Sequence, residues 1–202
     1  EEKEQEETIT HGDHTIKVAA SWRVGIGGKT WSTGALACKH LAAHADRYAA
    51  LAPKRQLRVL ELGAGTGLAS AAAARLGADV VATDVSDISL ELLRHAAEAD
   101  AFDVQRLDFT DSDAVAALGD FDIIVAADTL YEEAIARATA RVVRASRGAC
   151  IVVDPGRPDG RRAFLDELGV GRFKPVAVSP EELRAFPLGA GLTIESLGVY
   201  ER

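Results

Sequence analysis

The stretch "RVLELGAGTGLASAAAARLGADVVATDVS", Arg58 to Ser86, constrains the fold more than any other part of the chain. It reads as strand, glycine loop, helix and strand, the unit that places a nucleoside or a phosphate at a helix N-terminus. The glycines fall at Gly63, Gly65 and Gly67. A dinucleotide fingerprint, G-x-G-x-x-G, needs glycine at position 68, where this chain has Leu68. Glu61 precedes the first glycine by two residues, and no basic residue sits in or beside the loop to pair with a pyrophosphate. A second acid, Asp84, closes the next strand and can accept hydrogen bonds from both ribose hydroxyls. S-adenosylmethionine carries no phosphate, but does carry an ammonium and a sulfonium. It suits this loop better than a dinucleotide does.

The rest of the chain alternates in the same way. Short apolar runs predict strands over 57–62, 79–84, 104–107, 121–126 and 149–153. Helices are predicted over 67–76, 87–99, 111–118, 132–146 and 160–168. Runs such as "FDIIVAA" and "ACIVV" suit parallel strands covered on both faces, and the βαβαβ order implies a doubly wound α/β sheet. After residue 170 the alternation changes, and "RFKPVAVS" and "LTIESLGVY" read as an antiparallel closing pair. Toward the other end, "HGD" between "TIT" and "HTIKV" predicts a hairpin over 8–18, and 34–51 reads as one amphipathic helix. The expectation is a Rossmann-like α/β sheet of seven strands, mostly parallel with an antiparallel C-terminal edge pair, plus a small N-terminal β-hairpin and helix. One domain is expected over 8–202, with 8–52 the hairpin and helix, 57–202 the cofactor-binding core, and 1–7 an acidic disordered tail.

Composition narrows the function classes. The 202 residues can bury roughly 70% of their unfolded surface, so the core needs no disulfide staples. The two cysteines, Cys38 and Cys150, form no CxxC pair and read as structural thiols in a reducing compartment. No run approaches the length of a membrane span, and no membrane partner is expected. Net charge is −8, which argues against a general nucleic-acid binder and permits a cationic substrate. No methionine occurs, even at position 1, so the start reads as trimmed or processed. Cytoplasmic location is expected, with mitochondrial matrix or nucleus as alternatives. "GIGGKT" at 25–30 is not a P-loop, since Walker A needs glycine at position 23, where Arg23 stands.

A second constellation, "FDIIVAADTLYEE", places Asp128 and Tyr131 at the mouth of the fourth strand, where open α/β sheets bind ligands. Asp128 either caps the following helix or faces a transferred group together with the phenol.

The motif acid-x-G-x-G-x-G, with an acid ending the second strand, resembles the class I, seven-β-strand S-adenosylmethionine methyltransferases. The layout "GGKTWSTGALACKHL", "VLELGAGTGL", "GADVVATD" and "VAADTLY" resembles, within that superfamily, the small protein-lysine methyltransferases, over roughly residues 14 to 158. The resemblance implies a cofactor set of Trp31, Glu61, Gly63, Ala64, Gly65, Gly67, Asp84, Asp108, Phe109 and Ala126. In it Asp84 binds ribose, and Asp108 and Phe109 lie near adenine. Asp128 and Tyr131 frame the substrate amine, as the catalytic pair. It implies S-adenosylmethionine as cofactor without a metal, and a protein client with an accessible lysine, met as a monomer and without nucleic acid. "VVDPGRPDG" resembles the branch acting on the electron-transfer flavoprotein β subunit. Two positions depart from the family: His95 stands where Asn is usual, and Phe109 where Trp is common. The alternatives are an N-methyltransferase for a metabolite amine and an inactive cofactor-binding adaptor.

The implied chemistry is direct displacement at carbon by a neutral nitrogen. Neutralising a free lysine at pH 7 costs about 4.6 kcal/mol, part of which burial and the sulfonium charge can supply. Elsewhere, His40 and His44 read as partly exposed helix residues. Arg137, Arg141 and Arg144 read as a solvated face or a contact for RNA or an acidic client. Trp22 reads as core or substrate mouth. Arg157, Arg161 and Arg162 read as a client contact or an ordinary loop.

Overall fold

The computed structural model describes residues 5–11, 14–20, 32–169, 174–176 and 198–201, with side chains described within 33–169. Trp22, the 25–30 glycine segment, Trp31 and residues 1–4 of the predicted tail lie outside the described residues.

Five parallel strands form the centre: β1 (Arg58–Leu62), β2 (Asp79–Asp84), β3 (Asp103–Arg106), β4 (Ile123–Ala127) and β5 (Ala149–Asp154). They lie in the order β3-β2-β1-β4-β5, so the direction of winding reverses between β1 and β4. Leu60 pairs with Val81 on one side and Ile124 on the other, which puts β1 at the middle. The helices are α1 (Ser32–Ala43), α2 (Ala45–Ala49), α3 (Leu68–Arg75), α4 (Asp87–Asp100), α5 (Ser112–Ala117), α6 (Glu133–Ala145) and α7 (Pro158–Leu168). None of them is long and apolar enough to cross a membrane.

Strand side chains alternate between the two faces, and each face has its own core. Val59, Val80, Ile123, Val125, Ile151 and Val153 pack with Leu36, Leu41, Leu68, Leu90 and Leu93 of α1, α3 and α4. Leu60, Leu62, Val81, Ile124 and Val152 pack with Ala136, Ala140 and Val143 of α6 and with Phe164 and Leu168 of α7. Phe164 is fully buried, and its truncation to alanine would cost about 3–5 kcal/mol.

The helix predicted over 34–51 is broken. His44 leaves helical geometry at φ −115° and ψ 19°, separating α1 from α2, and its Nδ1 lies 3.0 Å from the His40 carbonyl oxygen. The imidazole thus reaches a carbonyl of the preceding turn. His40 is not the partly exposed residue expected. It is 4% exposed, and its Nε2 lies 3.1 Å from the Tyr48 hydroxyl. Leu51, the last residue of the predicted amphipathic helix, is 48% exposed. The arginine face of α6 is satisfied in part within the protein, because Arg137 and Arg144 both reach Glu167 of α7.

Candidate functional site

A cavity of about 320 Å³ opens at the carboxyl ends of β1, β2 and β4, where the winding reverses. Gly63 and Gly65 form its floor, at φ +62° and +55°, a left-handed backbone that glycine adopts without penalty. Asp84, Asp108, Phe109, Asp128 and Tyr131 line the walls. The glycine loop, Asp84, Asp108 and the Asp-x-x-Tyr pair therefore converge on one space.

Asp84 ties this space together. Its Oδ2 accepts from the Gly65 N–H at 3.0 Å, and its Oδ1 accepts from the Ser86 N–H at 2.9 Å. One carboxylate at the end of β2 thus fixes the loop after β1 and the start of α4. Asp108 accepts from the Thr110 N–H and hydroxyl, and these bonds hold its carboxyl below the usual carboxylate range.

Glu61, Ala64, Gly67 and Ala126 do not line the cavity. Glu61 has the strand parity of Val59, so it faces the layer of α3 and is 3% exposed. There its Oε2 accepts from the Ser70 N–H at 2.8 Å and from the Ser70 hydroxyl, capping a helix whose own N-cap, Gly67, has no side chain to do so. Burial pushes the Glu61 carboxyl up to about 7, with the Ser70 bonds opposing and the Asp84 charge adding to the rise. Gly67 sits at φ +80°, a left-handed backbone that favours glycine, and a Cβ there would also stand 2.7 Å from Leu93 Cδ2. Ala64 is 8% exposed and bonds through its N–H to the Thr83 carbonyl at 2.8 Å. Ala126 faces the α6–α7 core, and Ala127, one residue on, lines the cavity instead.

Asp128 is not a helix cap. α6 begins with Glu132 as its N-cap, while Asp128 sits at φ +60°, a left-handed conformation uncommon for a residue with a side chain. Its N–H donates to the Val153 carbonyl at 2.9 Å, and its carboxylate pairs with Arg157. Burial raises the Asp128 carboxyl above its ordinary value, and Arg157 opposes that rise. Tyr131 is 48% exposed at the mouth. Burial and the nearby Glu132, Asp84 and Asp128 charges raise its phenol.

Sequence reasoning missed two functional candidates. Ser89, in the first turn of α4, lines the cavity with a buried Oγ that has no hydrogen-bond partner among the described residues. Arg157, read as a client contact or loop residue, lines it too, and the signal lay in "DPGRP". His95, the departure on α4, lies outside the cavity, exposed beside Glu98.

The donor set fits S-adenosylmethionine. Among the described residues, three carboxylates and one arginine line the cavity, and that arginine is held by Asp128. A sulfonium and an ammonium meet favourable charge there, whereas a pyrophosphate would meet carboxylates.

The fold is that of a Rossmann-like methyltransferase. The solved T. thermophilus 16S rRNA N2 G1207 methyltransferase RsmC, in complex with AdoMet and guanosine, superposes at TM-score 0.64 and 22% identity. The match covers 98% of this chain and 49% of that one. The chain belongs to the lysine methyltransferase family, whose model matches residues 10–168. It is 31% identical over 134 residues to protein N-lysine methyltransferase METTL21A of Mus musculus and 30% identical over 133 residues to that of Danio rerio. Each alignment covers 62% of this chain, which spans 58% of the length of these curated relatives.

Proposed function

We propose that this protein transfers a methyl group from S-adenosylmethionine to the side-chain nitrogen of a lysine in a protein client. The observation that carries the reading is that Asp128 and Tyr131 line the same cavity as Gly63, Gly65 and Asp84. Family membership and the two protein N-lysine methyltransferase relatives support a protein acceptor. The net charge of −8 supports protein over nucleic acid as the partner. The proposal includes a monomeric enzyme needing no metal. It also includes a seven-stranded sheet, supported by the antiparallel register of Gly198–Glu201 against β5 and of Lys174–Val176 against Gly198–Glu201. The N-terminal hairpin is supported by the register of Gln5–His11 against His14–Ala20.

S-adenosylmethionine supplies a methyl on a cationic sulfur, so that the amine nitrogen bonds to that carbon as the carbon–sulfur pair returns to sulfur. The chain's own task is to present the nitrogen. Asp84 and the 63–65 backbone, which line the cavity, would hold the nucleoside side, and Phe109 would offer a ring face to adenine. The Asp128 carboxylate and Tyr131 oxygen accept from the amine N–H groups and leave its lone pair free for attack. Burial favours the neutral amine, and water takes the proton released after transfer. Positioning of this kind can supply several kcal/mol of rate enhancement.

The deciding experiment incubates methyl-labelled S-adenosylmethionine with the protein and a cell extract, beside Asp128→Ala, and separates proteins from small molecules. A discrete labelled protein band, absent with the variant, is expected. Label confined to the small-molecule fraction would replace the reading with a metabolite methyltransferase. No label, with cofactor bound, would favour an adaptor.

A further inference from the structure

Arg157 lies in the short connection between β5 and α7 and reaches back to Asp128. Its Nη1 pairs closely with Asp128 Oδ1, and its Nη2 is 3.4 Å from Oδ2. Both side chains line the cavity, and that of Asp128 is only 11% exposed.

The connection is built to deliver this contact. Gly156 turns the backbone at φ +94°, and Pro158 opens α7 at a position where proline suits the first helical turn. Gly160 then packs directly on Leu130, where a Cβ would stand 1.8 Å from the carbonyl oxygen. Leu130 lies between Asp128 and Tyr131 in sequence. The first turn of α7 and the 128–131 segment therefore form one wall. Arg161, one residue past Gly160, anchors that turn to the buried Asp154 at the end of β5 through a 2.7 Å contact.

We infer that Arg157 is the positioning residue of the methyl-acceptor end of the cavity: it fixes the Asp128 carboxylate in the wall and cancels its charge. The inference rests on the methyltransferase reading and deepens it. Asp128 faces two demands that conflict without a partner. It must stay ionised to accept from the amine, although burial and the neighbouring Asp154 both favour its acid form. Yet a lone carboxylate would also hold the lysine as ammonium, which has no lone pair for attack. A fixed guanidinium meets both demands. Among the described residues, the other ionisable groups here are Tyr131, on the same segment as Asp128, Glu132 and Asp84, whose charges act on the phenol, and Asp108 on the cavity wall.

The test compares wild type, Arg157→Lys and Arg157→Gln in two measurements, with unfolding midpoints confirming that each is folded. The first is the pH dependence of initial label transfer from methyl-labelled S-adenosylmethionine to dialysed cell-extract protein. Arg157→Gln is expected to lose about 10- to 100-fold at pH 7, to shift the rising limb to higher pH, and to keep cofactor affinity within about twofold. Arg157→Lys should restore part of the rate, since lysine returns the charge without the fork. An equal loss at every pH, with no shift, would show a merely structural role and overturn the inference. The second measurement is a carbon-13 titration of the Asp128 carboxyl, which needs no client. A midpoint raised in Arg157→Gln supports the inference, and an unchanged midpoint overturns it. If wild-type protein labels no protein at all, the methyltransferase reading fails, while the carboxyl titration still decides whether Arg157 governs Asp128.

Discussion

The Asp84 carboxylate at the end of β2 accepts a hydrogen bond from the Gly65 N–H at 3.0 Å, 19 residues back along the chain. This contact joins the acid of the second strand to the glycine loop of the first. Asp84 therefore shapes the loop, and under the proposed function its remaining lone pairs would serve a ribose.

Asp84→Ala is expected to weaken S-adenosylmethionine binding by about 10- to 100-fold, the range for a lost hydrogen bond to a charged group. Calorimetric titration measures it. Affinity within about twofold of wild type would remove Asp84 from the cofactor site.

Asp128→Asn is the cleanest probe of the acceptor end, because asparagine keeps the side-chain shape and adopts the φ of +60° at less cost than alanine. Transfer to protein should fall by at least about 100-fold while cofactor affinity stays largely intact. Tyr131→Phe removes one hydrogen bond and should cost about fivefold to tenfold. Full activity in Asp128→Asn would end the catalytic assignment.

Gly160→Ala sets a methyl group 1.8 Å from the Leu130 carbonyl oxygen, a backbone atom that cannot move aside cheaply. A loss of about 1–3 kcal/mol or more is expected in urea unfolding. An unchanged midpoint would mean that α7 and the 128–131 segment are not locked together.

Glu61 makes stability depend on pH in a definite direction. Its carboxyl sits near 7 in the folded protein, above the 4.5 of a free side chain. Between these values the folded state binds more protons than the unfolded state, so stability falls as pH rises from about 4.5 to about 7. Glu61→Gln removes the titration. The stability of wild type relative to this variant should fall by up to about 3 kcal/mol between pH 5 and pH 8. Urea midpoints at four pH values measure it, and a pH-independent difference would contradict the burial argument.

Much of the site was legible because its signals are local. The Gly63 and Gly65 spacing, the acid at Asp84, and Asp128 with Tyr131 mark strand ends, and strand ends of a parallel sheet gather on one edge. Asp108 and Phe109 came through the family resemblance and also line the cavity. Glu61 and Ala126, expected at the cofactor, do not line the cavity, for one shared reason. Each lies on a strand next to the cavity, but its parity turns it into a helix-covered layer. The break at His44 was hidden because its apolar pattern continues on both sides.

The sequence by itself determined the five-strand alternation, the class of loop and the preference for a cationic, phosphate-free nucleoside. These follow from periodicity and from the chemistry of adjacent residues. Tertiary structure alone decided that Glu61 caps α3 beneath the loop, that Ala127 rather than Ala126 faces the cavity, and that Arg157 meets Asp128 across 29 residues. Those outcomes depend on which layer covers each strand face and on β4 and β5 lying side by side, and no local pattern encodes either.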